Sequence, residues 1–402
     1  MAGSTGFIRK YGDVSFTEKP FCDADNLALC QVFYMPLEKA APNGFDDEPM
    51  PFSDVCDKMF ELNGGKHVAV GLVLTKGISV KLMEMAATKR YSEMKVAACY
   101  EVYQEDPAIQ FAAATFLLPD GTAVITFRGT DDTLIGWLED LEIYTKKGIP
   151  SHSLAVDYIE KAAAKFSGDI IICGHSKGGN VALFGALNCS AEVRSRIKCI
   201  YNNDGPGFYS YEFIESEAYK ELLPKYKHFI PNSSLVGILL AHDDDYTTVR
   251  SSRLTGPLQH DLGTWQVDGD ELVTTDGLSP LGKLNDLTLA KIIMKVTDEQ
   301  SDVLEKVAVA VIKGTGQMGL LGFAKNLPSS VKGAKEAWQS MDDETKTDFH
   351  EIFAGSADAL KLAARTMQEE TFPTVTKRVS NIMDMIFTDI RHKEKDLTPA
   401  EA

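Results

Sequence analysis

The sequence lacks long hydrophobic runs and an excess of positive charge. No stretch reaches the roughly 18 uncharged apolar residues that a membrane-spanning helix needs. Residues 1–16 contain no continuous hydrophobic segment of the kind found in secretory signals. Lysine and arginine number 41 against 58 acidic residues, which gives a net charge of −17 and disfavours nucleic acid and anionic membranes as partners. We therefore expect a cytoplasmic protein with no transmembrane segment and no nucleic-acid partner.

The cysteines do not show the pattern of a disulfide framework. The seven cysteines are an odd number, and several lie in apolar strand-like or helical contexts, as Cys173 does. This placement is typical of small, buried and reduced side chains. Apolar residues, in contrast, make up 44% of the 402 residues, and charged residues make up 25%. The composition predicts a globular protein with one large domain or two ordinary ones.

Strand and helix signals alternate through the middle of the chain. Strands are predicted at Val96–Tyr103, Gln110–Leu118, Thr122–Phe127, Ile170–Cys173, Arg196–Asn202, Lys227–Ile230 and Thr247–Val249. Helices are predicted at Asn26–Tyr34, Phe52–Leu62, about 75–90 and Leu154–Phe166. The turn tripeptide Pro119-Asp120-Gly121 predicts a hairpin between two of the strands. This alternation predicts an α/β fold with a mostly parallel central sheet.

The pattern becomes helical after about Leu281. Apolar residues from Val375 to Ile390 recur at spacings of three and four, so they share one helical face. We expect such helices to pack on the core or on each other, and a surface for lipid or a partner chain is the alternative. Three regions follow from this: an irregular or helical N-terminal segment (1–65), an α/β core (66–280) and a C-terminal helical region (281–402).

The segment Gly174-His175-Ser176-Lys177-Gly178 has the sequence context of a nucleophile elbow. The apolar run Ile170–Cys173 precedes it, and a helical pattern of small residues follows from Asn180. In such an elbow, a strained backbone exposes the serine hydroxyl at a helix N-terminus, where backbone N–H groups favour developing negative charge. Ser176 is therefore the predicted nucleophile, and a glycine-rich structural turn is the alternative.

The histidines that follow Ser176 supply the candidates for a general base. His260 lies in a loop after the last predicted strand, where this class of fold places its base. His228 lies within or beside a strand, which is a poor platform for a mobile imidazole. His242, on the other side of the last strand, is the alternative to His260.

Two places in the sequence can supply the acid that orients the base. Asp204 directly follows a strand, so its carboxylate is expected to face the crevice at the sheet's carboxyl edge, and the Gly205-Pro206-Gly207 turn gives it a defined exit. Asp243, Asp244 and Asp245 come one strand later, but a run of three aspartates is most stable when hydrated. Asp204 is the prediction. No matching ligand set surrounds the aspartate run, so no metal or other cofactor is expected.

An oxyanion hole needs two N–H donors. One is the amide of Lys177, which follows the nucleophile, and the other comes from an earlier strand–loop junction. Thr130 lies at such a junction and has both an amide and a hydroxyl to offer. Arg128 and Asp140 are expected to form an ion pair that holds this loop.

These motifs resemble known lipases. Phe127-Arg128-Gly129-Thr130, followed by Trp137 and Asp140, resembles the oxyanion loop of class 3 (fungal-type) lipases. Gly174–Gly179 resembles their Gly-His-Ser-x-Gly-Gly elbow, and Asp204–Phe208 is similar to the acid-bearing segment of pancreatic-type lipases.

The whole set of motifs resembles a bacterial lipase-like group, the Mbeg-like family, over about residues 20–280. The features in common include Lys177 and Asn180 inside the elbow and Gln259-His260-Asp261 downstream. One departure from class 3 lipases concerns the segment Asn232–Gly237, which has serine where those enzymes carry the acid. This departure favours Asp204 as the acid.

The motifs and the resemblance together imply an α/β-hydrolase fold and a serine esterase or lipase-like enzyme that works through an acyl-enzyme. Ser176 would attack a small-molecule or lipid ester, His260 would transfer the proton, and Asp204 would orient His260. Thr130 and Lys177 would stabilise the oxyanion. The alternatives are an acyltransferase or thioesterase with the same residues, and a non-catalytic interaction protein that keeps the fold as a scaffold.

Overall fold

The computed structural model contains an eight-stranded central sheet. It describes residues 3–67, 77–131, 133–243, 245–253, 256–283 and 327–349, and single positions or pairs between 300 and 314. The strands are β1 (Met50–Pro51), β2 (Lys95–Gln104), β3 (Ile109–Leu117), β4 (Ala123–Phe127), β5 (Ile170–His175), β6 (Ile197–Asn203), β7 (Tyr226–Pro231) and β8 (Thr247–Val249).

The strands of this sheet lie side by side in the order of the sequence. The three pairings from β1 to β4 are antiparallel. The four pairings from β4 to β8 are parallel. The predicted α/β fold with a mostly parallel sheet is confirmed. The predicted hairpin is also confirmed, because Leu118 and Thr122 close the turn between β3 and β4, and Gly121 takes a φ of 86° that favours glycine.

Helices connect the strands and cover the sheet. They are α1 (Ser4–Tyr11), α2 (Asp23–Val32), α3 (Phe52–Leu62), α4 (Ile78–Ala86), α5 (Lys89–Ser92), α6 (Leu134–Thr145), α7 (Pro150–Lys165), α8 (Lys177–Asn188), α9 (Ala191–Arg196), α10 (Glu217–Leu222), α11 (Gly256–Gln259) and α12 (Leu327–Ser340). Short 3₁₀ turns occur at Leu37–Lys39, Leu223–Lys225 and Leu262–Thr264. The sequence predicted α3 with its observed bounds. It did not predict α1 or the small hairpin of β9 (Val267–Asp268) and β10 (Glu271–Leu272).

Hydrophobic side chains pack on both faces of the sheet. Neighbouring residues of a strand point to opposite faces, so Val124 and Ile125 of β4 belong to different clusters. One cluster joins the sheet to the N-terminal helices through residues such as Leu27 and Phe52. The other joins it to α7 and α8, for example through Ile159. The segment 1–65 therefore shares a core with the strands.

The division of the chain at residue 281 stays a prediction. Most of 281–402 lies outside the described residues, including the stripe from Val375 to Ile390, and α12 is a helix within the described part of this region. Within the described part of the chain, no helix combines the length and the apolar character needed to cross a bilayer.

Candidate active site

Ser176 lies at the sharp turn between β5 and α8. Its backbone has φ 56° and ψ −133°, a strained conformation for a residue with a side chain. The turn depends on its glycines: a Cβ at Gly174 would collide with the carbonyl of Gly178, and a Cβ at Gly178 would collide with the carbonyl of Phe127. Ser176 is partly exposed, so the tight turn leaves its hydroxyl accessible.

His260 and Asp204 come together beside this turn. His260 follows α11, and its Nδ1 lies 2.7 Å from Oδ2 of Asp204 at the end of β6. The other carboxylate oxygen of Asp204 accepts hydrogen bonds from Ser234 Oγ at 2.5 Å and from the Gly237 amide at 3.0 Å. Asp204 is 0% exposed, whereas the His260 side chain is 18% exposed. Because the carboxylate accepts from Nδ1–H, the Nε2 lone pair of His260 is available to accept a proton.

The other candidates for acid and base have different partners. Asp243 accepts a hydrogen bond from Tyr219, and Asp244 lies outside the described residues. His242 Nδ1 lies 3.1 Å from the carbonyl oxygen of Leu240. His228 is buried within β7, and burial lowers its pKa to about 3. The structure thus brings Asp204, rather than Asp243, next to His260.

His175 connects the N-terminal segment to the loop that carries His260. Its Nδ1 lies 2.7 Å from the hydroxyl of Tyr34, and its Nε2 lies 2.9 Å from the backbone oxygen of His260. A carbonyl oxygen only accepts, so Nε2 carries the proton and Nδ1 accepts from the Tyr34 hydroxyl. Burial lowers the pKa of His175 well below its usual range, which keeps the ring neutral. Sequence reasoning missed this link, whose only local signal was a histidine inside the elbow.

The candidate oxyanion loop passes against the elbow at the end of β4. A Cβ on Gly129 would lie 3.1 Å from the Cβ of Ser176, so Thr130 follows within the immediate surroundings of the serine. The hydroxyl of Thr130 donates to Oδ1 of Asp140 at 2.5 Å. Its single proton is thereby engaged, which leaves the Thr130 amide as the group that could face an oxyanion.

The expected ion pair between Arg128 and Asp140 is wrong. Arg128 pairs with Glu38 at 3.6 Å and with Glu101. Asp140 instead bonds Thr130, and burial raises its pKa to about 6 against the opposing effects of Lys177 and Thr130.

The side chain of Lys177 ends in a buried ion pair. Its Nζ lies 2.7 Å from Oε2 of Glu139, the residue that precedes Asp140 in α6. The sequence predicted a role for the Lys177 amide but not for this side chain. The Trp137 side chain, part of the same motif, lies outside the described residues. Among the residues that the structure describes, no group of three or more His, Cys, Asp or Glu side chains could hold a metal ion.

The sheet and the turn that carries Ser176 give the protein the architecture of the α/β-hydrolases. The family to which the chain belongs is a narrower group than this structural class. The model of the Mbeg1-like family matches residues 85–307, more than half of the chain, so the chain belongs to the Mbeg1-like family. This confirms the resemblance inferred from the sequence motifs.

Solved structures of lipases are among those similar to this chain. A deletion mutant of the Rhizomucor miehei lipase propeptide complex is 14% identical, with a TM-score of 0.34 over 58% of this chain and 78% of that chain. The native form of that complex is 15% identical, with a TM-score of 0.27 over 52% and 62%. A crystal structure of M37 lipase is 14% identical, with a TM-score of 0.31 over 54% and 70%. No curated protein matches the chain.

Proposed function

We propose that the protein is a serine hydrolase that cleaves carboxylic esters through an acyl-enzyme. The observation that carries this proposal is the 2.7 Å contact between His260 Nδ1 and the buried carboxylate of Asp204, beside the strained turn of Ser176. An imidazole held at Nδ1 by a carboxylate has the tautomer that a general base needs. A serine at such an elbow is the nucleophile that this base would activate.

The reaction would proceed in two steps. The Ser176 hydroxyl attacks the ester carbonyl while Nε2 of His260 takes its proton, and Asp204 stabilises the imidazolium that forms. The amides of Lys177 and Thr130 donate to the oxyanion of the tetrahedral intermediate. The intermediate collapses as His260 gives the proton to the leaving alcohol, and water then hydrolyses the acyl-Ser176 ester with His260 again as the base.

Local geometry supports this assignment. Lys177 is the first residue of α8, so its amide is among the N–H groups without a partner inside the helix. The dipole of α8 adds favourable potential at the same point. The partly exposed Ser176 can be reached by an ester, whereas Asp204 is shielded from water that would weaken its contact with His260.

A fluorophosphonate probe tests the proposal directly. The wild type should be labelled once, at Ser176, and Ser176→Ala should not be labelled. Ser195→Ala is the matched control, because Ser195 is an exposed serine on α9, at the amino end of β6 and away from the elbow. Labelling that persists in Ser176→Ala at a comparable rate would exclude this serine as the nucleophile.

A chain-length series of chromogenic esters, assayed on the wild type and on Ser176→Ala, would then define the acyl group. Ester turnover should disappear in Ser176→Ala, apart from the residual rate that binding and oxyanion contacts support. Addition of alcohols and thiols separates hydrolysis from transfer. Products formed mainly on those acceptors rather than on water would identify an acyltransferase.

A further inference from the structure

Helix α6 presents two adjacent carboxylates to two different parts of the candidate site. Glu139 Oε2 lies 2.7 Å from Nζ of Lys177, the residue after the candidate nucleophile. Asp140 Oδ1 accepts a hydrogen bond from Thr130 Oγ1 at 2.5 Å. The elbow and the candidate oxyanion loop are therefore attached to one helix by neighbouring side chains.

The ammonium group of Lys177 makes three short hydrogen bonds. Nζ lies 2.7 Å from Glu139 Oε2, 2.6 Å from the backbone oxygen of Gln110 and 2.8 Å from the Gln110 side-chain oxygen. An ammonium has three donors, so all of them are used. These partners lie on α6 and β3, which restrains the end of the side chain from two elements.

Glu139 is equally saturated. Its Oε1 accepts from the Ser151 amide at 3.2 Å and the Ser151 hydroxyl at 2.5 Å, and its Oε2 also accepts from the Gln110 amide at 3.0 Å. Glu139 is 0% exposed and Lys177 is 2% exposed. The pair is therefore shielded from water where β3, α6, α7 and α8 meet, and its two side chains have little freedom to move.

Stability alone does not account for a lysine at this position. Burying an ammonium is costly, and an apolar pair of similar volume is often as stable as a buried ion pair. Lys177 is also the first residue of α8, where the helix dipole disfavours a positive charge. Unlike an apolar contact, the pair makes directional hydrogen bonds. These bonds specify where the backbone of Lys177 lies relative to α6.

We propose that the Lys177–Glu139 pair positions the Lys177 amide against the Thr130 loop, and so sets the spacing of the two oxyanion donors. This inference rests on the proposed hydrolase function. Glu139 and the ammonium of Lys177 are positioning groups, since neither touches the reacting atoms. A donor that is displaced loses contact with the oxyanion, which exists in the transition state and not in the bound ester.

The pair can be broken from either side with Lys177→Met and Glu139→Gln. Losing a whole oxyanion donor costs about 10²–10³ in kcat, so a displaced donor is expected to cost about 10–100-fold. KM should stay within about twofold, because ground-state binding does not use this contact. The rate at which a fluorophosphonate labels Ser176 should fall in parallel with kcat.

The double variant Lys177→Met/Glu139→Gln separates positioning from folding. It leaves no unpaired charge in the interior, so its resistance to urea should recover relative to the single variants. The positioning role requires kcat to stay low in this variant although stability has recovered. If a single variant does not fold, the kcat of the double variant still tests the positioning role.

Arg90→Met is the matched control for loss of a buried cation. Arg90 and Asp25 form an ion pair in which both side chains are 0% exposed, between α2 and α5 and outside the candidate site. This variant should lose stability while the folded fraction keeps its kcat. If the Lys177 variants behave like Arg90→Met, the pair has a structural role and the positioning inference is wrong.

The outcomes for the two proposals are distinct. Absence of labelling and of ester turnover in the wild type would overturn the hydrolase proposal itself. If the wild type is active, three results would each overturn the positioning inference alone. They are an unchanged kcat in folded Lys177→Met, an effect confined to a rise in KM, and recovery of kcat together with stability in the double variant.

Discussion

Replacing Asp204 with asparagine exchanges one oxygen for an NH₂ group and reverses a hydrogen bond. In the wild type, Oδ1 accepts from Ser234 Oγ at 2.5 Å and from the Gly237 amide at 3.0 Å, while Oδ2 lies 2.7 Å from Nδ1 of His260. The Gly237 amide can only donate, so the asparagine oxygen must take the Oδ1 position and its NH₂ group must face His260. The imidazole then accepts at Nδ1 and carries its proton on Nε2, where it cannot take a proton from Ser176.

The size of the effect follows from this change of tautomer. A corresponding change in a serine protease costs about 10⁴ in kcat. Asp204 is 0% exposed, so water has little access to restore the acceptor that His260 loses. We expect kcat to fall by about 10²–10⁴ in Asp204→Asn, which corresponds to roughly 3–5 kcal/mol of transition-state stabilisation.

The assay is kcat and KM on a chromogenic ester, with urea unfolding to establish that the variant is folded. Asp243→Asn and Asp245→Asn are the controls, since Asp243 bonds Tyr219 rather than His260. Each should change kcat by less than about tenfold, and the same is expected of Asp244→Asn. A folded Asp204→Asn that retains more than a tenth of the wild-type kcat, or an equal loss in Asp243→Asn, would refute the assignment of the acid.

Two further predictions concern buried histidines. Burial lowers the pKa of His152, whose Nε2 lies 2.7 Å from Asn180 Oδ1, from the usual 6.5 to about 4. The stability that neutral His152 contributes is complete above pH 6.5 and is lost as the pH falls from there through 4. Between pH 7.5 and pH 4, the free energy of unfolding in urea should therefore fall by roughly 3 kcal/mol less in His152→Gln than in the wild type. An equal pH dependence of the two proteins would contradict this. Tyr34→Phe leaves Nδ1 of buried His175 without its 2.7 Å donor, so stability should fall by about 1–3 kcal/mol and kcat by less than in Asp204→Asn. Unchanged stability in urea unfolding would argue against this bond.

The parts of the fold that local patterns specify were predictable. Strands β3 and β4 are β-rich runs joined by a turn tripeptide, and α3 has apolar residues at helical spacing. Helix α1 was missed because its eight residues form only about two turns, too short a segment to be told from an irregular one, and it is held by packing of Phe7 and Ile8 into the core. Strands β9 and β10 have two residues each, too few for any alternation to be seen.

Contacts between distant segments set the limit for predicting the site. Tyr34 meets His175 across 141 positions of sequence, and Glu139 meets Lys177 across 38. Nothing in either local pattern identifies the partner, because the contact exists only once the sheet has brought the segments together. Arg128 illustrates the same limit: it was expected to pair with a nearby aspartate and pairs with two glutamates instead. Charge and proximity in sequence do not determine an ion pair in the interior.

The proposed acid lies beside a segment that departs from the class 3 lipase pattern, and the contact between them explains the departure physically. The segment Asn232–Gly237 has serine where class 3 lipases carry the acid, and the Ser234 hydroxyl donates to the carboxylate of Asp204. Both residues are 0% exposed, so a second carboxylate at position 234 would place two negative charges in contact in the interior, where one would have to take up a proton. A serine there supplies a donor that holds the carboxylate for His260. The serine at 234 therefore suits a carboxylate at 204, whereas a carboxylate at 234 would oppose it, and this favours Asp204 as the proposed acid.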